Sequence, residues 1–478
     1  MSSLFGALDA SATTLDAYTQ ALNVVQNNVG NASTQGYAAQ SAIFTPLPFD
    51  AFAGEGGGVT YSGTQSLRNE PSERNLQTQN SELGSANSLV SSLSNLQTSF
   101  DVTGSTGLSA ALPAFFTSFA ALSQNPSDEV ARQQVIAASQ NVAAAFNSTA
   151  QAVSDASNSA TQQIQTTVSD INNLASQISQ LNQQQMNNPS PDPNTDASIH
   201  ADLQNLSSLT NITYSVAQNG SVNVLIGGQT PLVTGATAYS ISAASAPVSA
   251  TAPQPGGVPS EIIQDRNGTD ITSQITGGSL AGTLQFRNQT VPGLIGDTQQ
   301  TGSLNQLAQS FADRVNTLLT GGQISSGPPA VAGQALFQYS SQNPGTIAQT
   351  LSVTGITGDQ IATIDPGPPS TANGIAQQIS NLSTSSAAAD QINGLTFPGD
   401  YGQIAAGVGQ QLSNAANTQT QQSQAVAQAQ NMLNQVSGVS LDAEAVQLTD
   451  FQKSYEATAK MVTILSDLTE TAINLIPN

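Results

Sequence analysis

Residues 27–37, "NNVGNASTQGY", end a helical pattern that begins almost at the first residue. In that pattern, apolar side chains recur at alternating steps of four and three, the spacing of a coiled-coil heptad. The segment carries only two charged residues, Asp9 and Asp16, so few ion pairs stabilise it in water. Its stability must come mainly from a partner packed on the apolar side. The predicted N-terminal seam consists of Leu4, Leu8, Leu15, Tyr18, Leu22, Val25 and Val29.

The end of the chain carries a second pattern of the same kind. It follows a short break at Ser437 and Gly438 and continues almost to the last residue. We predict that this helix pairs with the N-terminal one in a coiled-coil-like arrangement, with each seam covering the other. The predicted C-terminal seam consists of Leu441, Leu448, Phe451, Tyr455, Val462, Leu465 and Ile473.

Charge and composition exclude several classes of function. The 478 residues include 30 acidic and only eight basic ones, which are scattered singly and leave a net charge of -22. Binding to nucleic acid or to an anionic membrane surface requires clustered basic residues, so neither is expected. No apolar run is long enough to insert into a membrane, and no early run resembles a secretory signal. If the protein is exported, we expect another route.

The interior of the chain combines long helices with a smaller β-rich region. Residues 37–82 are rich in turn residues and predict loops and short strands. A helix capped near Ser127 has a four-three pattern that continues to about Met186. Farther on, alternating residues flank Asn219 and Gly220, which predicts a β-hairpin.

These patterns predict a mainly α fold with a β-rich region (α+β), elongated and divided into several domains. The order along the chain is nested, because the terminal helices enclose helical tracts, which in turn enclose the β-rich region. The predicted domains are residues 1–45 plus 437–478 (terminal helices), residues 46–202 plus 284–436 (long helices with short strands), and residues 203–283 (an outer β-domain).

No motif for catalysis, cofactor binding or metal binding is present. The single histidine, His200, lies near a helix start, where we predict an incidental surface or capping role. Asp192, Asn194 and Asp196 imitate the first ligands of a calcium loop, but the required glycine and glutamate are missing from their positions. We therefore predict a protein that is not an enzyme and binds no cofactor or metal.

The stretch "NNVGNASTQGY" resembles the consensus that follows the N-terminal helix in axial proteins of the bacterial flagellum, the rod, hook and hook-associated proteins. The matching residues include Asn27, Asn28, Asn31, Gly36 and Tyr37. The terminal segment "SGVSLDAEAVQLTDFQKSYEATAKMVTILSDLTETAINL" also resembles the C-terminus of these proteins. Ala38 and Ala39 stand where the family often has serine and arginine.

Two internal stretches, "LSQNPSDEVARQQVIAASQNVAAAFN" and "GSLAGTLQFRNQT", resemble the hook-associated members of this family, which have long helices in their middle. The resemblance implies a secreted structural subunit of the flagellum that self-associates into a ring at the junction of hook and filament. It also implies hook protein below the ring, the second junction protein above it, and export by the flagellar type III apparatus with a chaperone.

Other interpretations of the sequence remain possible. The terminal helices could pack on the chain's own core in a soluble monomer, as amphipathic helices usually do. Within the family, the chain could be the second junction protein or a hook protein. Outside it, a non-flagellar type III secreted protein or a secreted enzyme would be the alternatives.

Overall fold

A computed structural model describes residues 2–50, 55–100, 106–188, 192–247, 259–297, 300–340 and 344–474. Helices dominate this part of the chain, and none of them combines the length and the hydropathy of a membrane span. They are α1 (Ser2–Gly30), α2 (Glu70–Gln97), α3 (Gly107–Gln124), α4 (Glu129–Asn187), α5 (Pro193–Leu209), α6 (Gly278–Gln285), α7 (Val291–Ile295), α8 (Ser303–Gly321), α9 (Ile347–Thr350), α10 (Gly374–Asn381), α11 (Phe397–Ser437) and α12 (Leu441–Asn474).

The strands are short, and all the pairs between them are antiparallel. They are β1 (Gln40–Pro46), β2 (Phe49–Asp50), β3 (Glu55–Gly56), β4 (Val59–Ser66), β5 (Ile212–Val216), β6 (Val222–Ile226), β7 (Thr230–Thr234), β8 (Thr237–Ala238), β9 (Ser242–Ser245), β10 (Glu261–Gln264), β11 (Gln323–Ser325), β12 (Val331–Ala332), β13 (Phe337–Gln338) and β14 (Ser352–Val353).

The predicted fold class is confirmed, because a mainly helical chain contains a small β-rich region and its first and last helices, α1 and α12, pack together. The predicted β-hairpin is also confirmed. Tyr214 of β5 pairs with Val224 of β6, and a turn at Asn219 and Gly220 joins the two strands. With β7 and β8 they form a four-stranded sheet.

The prediction of loops and short strands for residues 37–82 is confirmed by strands β1 to β4, which lie between residues 40 and 66. It is wrong from Glu70 onward, where α2 begins. Asn69 caps this helix, because its side-chain oxygen accepts a hydrogen bond from the backbone N–H of Ser72 at 3.0 Å. Pro71 occupies the first turn, where its missing N–H costs nothing. The polar composition of this first turn concealed the helix.

Helix α4 connects two hydrophobic cores. It ends at Asn187, as its heptad spacing predicts, but its cap is Asp128 rather than Ser127. Its first half shares one core with α3, α8 and α11, and its second half shares the other with α5 and strands β5 to β7. This second core contains residues on both sides of the predicted boundary at residue 203. The predicted domain boundaries remain a prediction.

Glycines allow α2 and α6 to approach closely. A Cβ atom built at Gly282 of α6 would lie 2.1 Å from the backbone oxygen of Ser85 in α2. Gly84 of α2 is similarly close to the oxygen of Ser208 in α5, at 2.2 Å. Because these contacts are with backbone atoms, no side-chain movement could relieve the overlap that a larger residue would cause.

We expect Gly282→Ala to destabilise the protein although alanine favours helices. Separating α2 from α6 should cost roughly 1–3 kcal/mol of unfolding free energy, more than the helix propensity returns. Gly407→Ala in α11 is the matched control, since nothing lies within 4 Å of its Cβ position. It should stabilise the protein by about 0.5–1 kcal/mol. Urea unfolding followed by circular dichroism measures both, and equal shifts in the same direction would contradict the close contact.

Candidate assembly site at the joint of the terminal helices

The buried side of α1 differs from the predicted N-terminal seam. Val25 is the one seam residue that is buried, and Val29 is 47% exposed. The other five, Leu4, Leu8, Leu15, Tyr18 and Leu22, are half-buried. A row of buried residues lies roughly 90° around the helix from the predicted seam, counted at 100° per residue. Most side chains in this row are small, so neighbouring segments approach α1 closely on this side. This row consists of Thr14, Ala17, Ala21, Val25 and Asn28.

The predicted C-terminal seam largely matches the side of α12 that faces inward. Its members Leu448, Phe451, Tyr455, Val462 and Leu465 are half-buried. The two end members are exposed, Leu441 by 57% and Ile473 by 51%. The seam residues of both helices thus retain exposed apolar surface in the single chain, and their role in assembly stays a prediction.

The hairpin of residues 40–66, called the arm below, packs along this helix pair. Phe44 of the arm, Tyr18 of α1 and Phe451 of α12 form an aromatic cluster with centroid distances of 6.0–6.3 Å. Closer to the end of the arm, the backbone N–H of Val59 donates to the Thr14 hydroxyl at 3.1 Å. The sequence pattern did not reveal this contact, because it predicts loops and short strands in the arm without indicating which helix they pack on.

Asn28 of the family motif joins both ends of the chain. It is fully buried, and its amide nitrogen donates to the Glu444 carboxylate of α12 and to the backbone oxygen of Gln40, each at 2.8 Å. Its side-chain oxygen accepts from the Gln40 backbone N–H at 2.9 Å and from the Tyr37 hydroxyl at 2.9 Å. One side chain therefore holds α1, the start of the arm and α12 together.

The other motif residues shape the turn after α1. Asn31 donates to the backbone and side-chain oxygens of Asn27, both at 3.0 Å, and accepts from Thr34 at 3.1 Å. Tyr37 reaches back across the turn to Asn27 at 3.0 Å. These bonds satisfy groups that a helix end leaves unpaired.

Position 36 requires glycine for two reasons, its backbone conformation and the closeness of its neighbours. Its φ of +75° lies in the left-handed region, and an added Cβ would lie 2.2 Å from the backbone oxygen of Ala197 in α5. The Gly36 oxygen accepts a hydrogen bond from Arg68 at 2.8 Å. The motif glycine thus fixes how the helix pair connects to α5.

Ser437, at the start of the C-terminal motif, also binds the region where α1, the arm and α12 meet, which is called the joint below. The backbone oxygen of Ser437 accepts from Ala39 at 2.9 Å, and its hydroxyl accepts from the N–H of Asn69 at 2.9 Å. Ala38 and Ala39, which depart from the family consensus, are both buried in this contact region. Their small side chains leave the backbone close enough to bond with Ser437.

His200 is not a surface residue, so that prediction is wrong. It is 1% exposed, and its Nδ1 lies 2.6 Å from the carboxylate of Glu73, which is itself fully buried. Arg68 lies 3.3 Å from the same carboxylate, and the Tyr214 hydroxyl donates to it at 3.1 Å. The network links α2, α5 and β5 beneath Gly36. Its polar members are distant in sequence, so spacing could not reveal it.

The acidic residues that imitate a calcium loop cap a helix instead. Asp192 accepts hydrogen bonds from the backbone N–H groups of Asn194 and Thr195 at the start of α5. Asp196 lies 2.7 Å from Arg68. Within the described ranges, no group of three or more His, Cys, Asp or Glu side chains is placed to hold a metal ion.

Two of the buried glutamates, Glu444 and Glu73, differ in the direction of their pKa shifts. Burial raises the pKa of Glu444 above its ordinary value of 4.5, although the Asn28 hydrogen bond opposes this change. Burial, with the Glu444 charge, also raises the pKa of Tyr37 to about 12. For Glu73, burial acts in the same direction, but His200, Arg68 and the Tyr214 hydroxyl together hold its pKa below 4.5.

These shifts predict opposite responses to pH. The folded chain holds the Glu444 proton more tightly than the unfolded chain, so the stability contributed at this site falls as pH rises above about 4.5. Glu444→Gln should therefore protect the amides of residues 25–30 and 441–448 from hydrogen exchange at neutral pH and flatten their pH dependence. Glu73 binds its proton less tightly when folded, so its contribution is lost as pH falls below about 4.5.

Glu73→Gln is the matched control for that measurement. It should reduce protection around α2 and α5 at neutral pH, and the difference from the unmodified protein should shrink in acid. If the two variants changed exchange in the same direction at neutral pH, the assignment of opposite shifts would be wrong.

Comparisons with known proteins agree with this architecture. The model of the flagellar hook-associated protein FlgK helical domain matches residues 93–337, and that of the flagellar basal body rod FlgEFG protein C-terminal matches residues 429–475. Flagellar hook-associated protein 1 of Bacillus subtilis is 26% identical over 522 aligned residues, which cover 99% of each chain. The protein of that name from Salmonella typhimurium is 27% identical over 359 residues, 71% of this chain and 62% of the relative.

A solved structure has the same fold. The flagellar hook junction protein FlgK from Burkholderia pseudomallei superposes with a TM-score of 0.61, covering 75% of this chain and 99% of the other, at 16% identity. The helical-domain match extends over more than half of the present sequence, and a second match covers the C-terminal seam. The chain therefore belongs to the FlgK family of flagellar hook-associated proteins.

Proposed function

We propose that this protein is a structural subunit of the bacterial flagellum that self-associates into the junction ring between hook and filament. The observation that carries the proposal is the joint at Asn28 and Glu444, which builds a helix pair from the two ends of the chain. The pair stands beside the two hydrophobic cores of residues 93–415 and 164–284, and contributes no residue to either. Its stability thus depends on its own contacts and on whatever packs around it.

Exposed apolar residues support assembly through this pair. On α12, Val446, Met461, Ile464 and Leu468 are 51–61% exposed, although they do not belong to the predicted seam. Phe5 and Val29 of α1 are also nearly half exposed. A helix pair with apolar residues on several sides is typical of a segment that is buried among neighbours.

The partners follow from a position at the junction. We infer that hook protein lies on one side of the ring and the second junction protein on the other. A subunit of this kind reaches its place by the flagellar type III export apparatus, with a chaperone, and works outside the cell. The low content of charged residues, 8% of the chain, favours the packing of identical acidic copies.

A non-enzymatic role is part of the proposal. The titratable cluster around Glu73 and His200 is buried and its members bind one another, which leaves no open position for a substrate. Its contacts with Gly36 through Arg68 instead favour a structural role beneath the helix pair.

Deleting the gene tests the proposed position. The cells should keep their hooks, lose their filaments and release filament subunits into the medium, because the filament lacks its attachment ring. Electron microscopy of the cell surface and analysis of the medium measure this outcome, and reintroducing the gene is the control. Normal filaments in the deletion strain would refute the proposal.

Charges placed in the N-terminal seam test the assembly element. Leu15→Asp and Leu22→Asp should prevent incorporation while leaving the hydrophobic cores folded, because each buries a carboxylate when neighbouring copies cover the seam. Asn23→Asp is the matched control, since Asn23 is exposed beside Leu22 and gains the same charge. Swimming motility and circular dichroism of the purified variants measure the two effects. Motility equal to the control would contradict the assignment of the seam.

A further inference from the structure

The helix pair is attached to the rest of the chain over a small area. Helix α1, the arm and α12 pack on one another. Helices α2 to α11 and strands β5 to β14 are called the body below. Within the described ranges, no helix or strand of the body packs on this group through more than isolated residues. The orientation of the helix pair therefore depends on a few bonds at the joint.

The joint lies at one end of the helix pair. Asn28 bonds Glu444 there, and α12 continues from Glu444 to Asn474, about 45 Å farther at 1.5 Å per residue. A rotation of about 10° at the joint would therefore displace the far end of α12 by about 8 Å. A long element that is attached at one end by few contacts has the arrangement of a hinge, in which a few residues absorb the motion.

The turn after α1 lies on the start of α5. An added Cβ atom at Gly36 would lie 2.2 Å from the backbone oxygen of Ala197 and 2.6 Å from the backbone nitrogen of Ala201. Beside this backbone contact, the Gln35 side chain donates to Gln204 at 3.3 Å, and this bond is exposed. A neutral, exposed hydrogen bond contributes little, because water competes for both groups. These two contacts alone hold the turn on α5 only weakly.

Arg68 adds charged bonds to this contact. It lies between the arm and α2, and 13% of its side chain is exposed. Its Nη2 donates to the Gly36 oxygen at 2.8 Å and to the Asp196 carboxylate of α5 at 2.7 Å. Its Nη1 lies 3.3 Å from the Glu73 carboxylate of α2. Charge-assisted bonds of this kind are stronger than neutral ones. One guanidinium thus ties the turn after α1 to two helices of the body.

The three bonds suit an arginine and concern the orientation of the turn more than the stability of the body. A guanidinium presents several N–H donors in fixed positions, whereas a lysine ammonium cannot reach the same partners with this geometry. Glu73 keeps His200 at 2.6 Å and the Tyr214 hydroxyl at 3.1 Å when Arg68 is replaced. The link to Gly36 has no such reserve in charged bonds.

We infer that Arg68 is a latch that fixes the angle between the helix pair and the body, and that the joint becomes a hinge when the bonds of Arg68 are broken. With the latch closed, the subunit presents its terminal helices in one orientation. With the latch open, the pair turns as one unit, because the Asn28 bond to Glu444 and the aromatic cluster do not involve Arg68. The inference concerns the single subunit and does not depend on the proposed function.

Distances between two spin labels, measured by pulsed electron double resonance, test the latch in the full-length subunit. The sequence contains no cysteine, so labels attach only to introduced ones. Ala457→Cys in α12 and Ser94→Cys in α2, both exposed positions, report the angle between helix pair and body. With Arg68 in place, this distance should have one narrow distribution, and Arg68→Gln should broaden it. Asp196→Asn weakens one bond but leaves Arg68 beside Glu73, so it should broaden the distribution less.

Two controls separate rotation of the helix pair from its unfolding. Asn23→Cys with Ala457→Cys places both labels within the helix pair, and Arg68→Gln should leave that distribution unchanged. Arg74→Gln removes the same charge from an exposed ion pair with Glu70, and it should change neither distribution.

A distance between helix pair and body that stays narrow in Arg68→Gln would overturn the inference. A distribution that is already broad with Arg68 in place would also overturn it, since the latch would then hold nothing. Equal broadening within the helix pair would show that the pair had come apart rather than turned, which is a third contradiction. If circular dichroism showed that Arg68→Gln unfolds the body, Asp196→Asn would decide by the same criteria. The proposed function is tested separately, by deletion of the gene.

Discussion

The structure depends on one buried amide. Asn28 has hydrogen-bond partners in the arm, in Tyr37 and in α12, so its removal would leave a carboxylate and two backbone groups unpaired at once. Unpaired buried polar groups are costly, which makes such a network much more selective for one geometry than apolar contact alone. The geometry it selects is the antiparallel pairing of the two chain ends. The apolar contacts of that pair, between helices rich in alanine, serine and threonine, would tolerate several registers without it.

The joint also sets the orientation of the helix pair relative to the remaining chain. Gly36 lies against α5, Ser437 binds the backbone at Ala39 and Asn69, and Arg68 connects Gly36 to the Glu73 network. The two family motifs thus meet in space, although nearly the whole chain separates them. Their polar residues bind one another, whereas the apolar residues on the outer sides of the pair remain available to other subunits. The polar motif residues thus stabilise contacts within one chain, whereas the apolar side chains on the outer sides of the pair lack such contacts.

The sequence predicted the elements with strong periodicity and missed those that depend on distant contacts. The length of α4, the hairpin at Asn219 and Gly220 and the pairing of the terminal helices followed from spacing and turn chemistry. The start of α2 was missed because its cap and first turn are polar. The buried side of α1 was misplaced because leucines carry the periodic signal, while alanines form the closest contacts. His200 was misjudged since its partner, Glu73, is 127 residues away.

The separation between Asn28 and Glu444, 416 residues, has a consequence for how the subunit matures. A chain that emerges from its N-terminus first can fold its cores as they appear, but Asn28 finds no carboxylate until residue 444 is free. Closure of the helix pair through Asn28 therefore requires residue 444, and a chain that ends before it cannot form this contact. The joint thus makes the pairing of the two terminal helices depend on synthesis of nearly the whole chain.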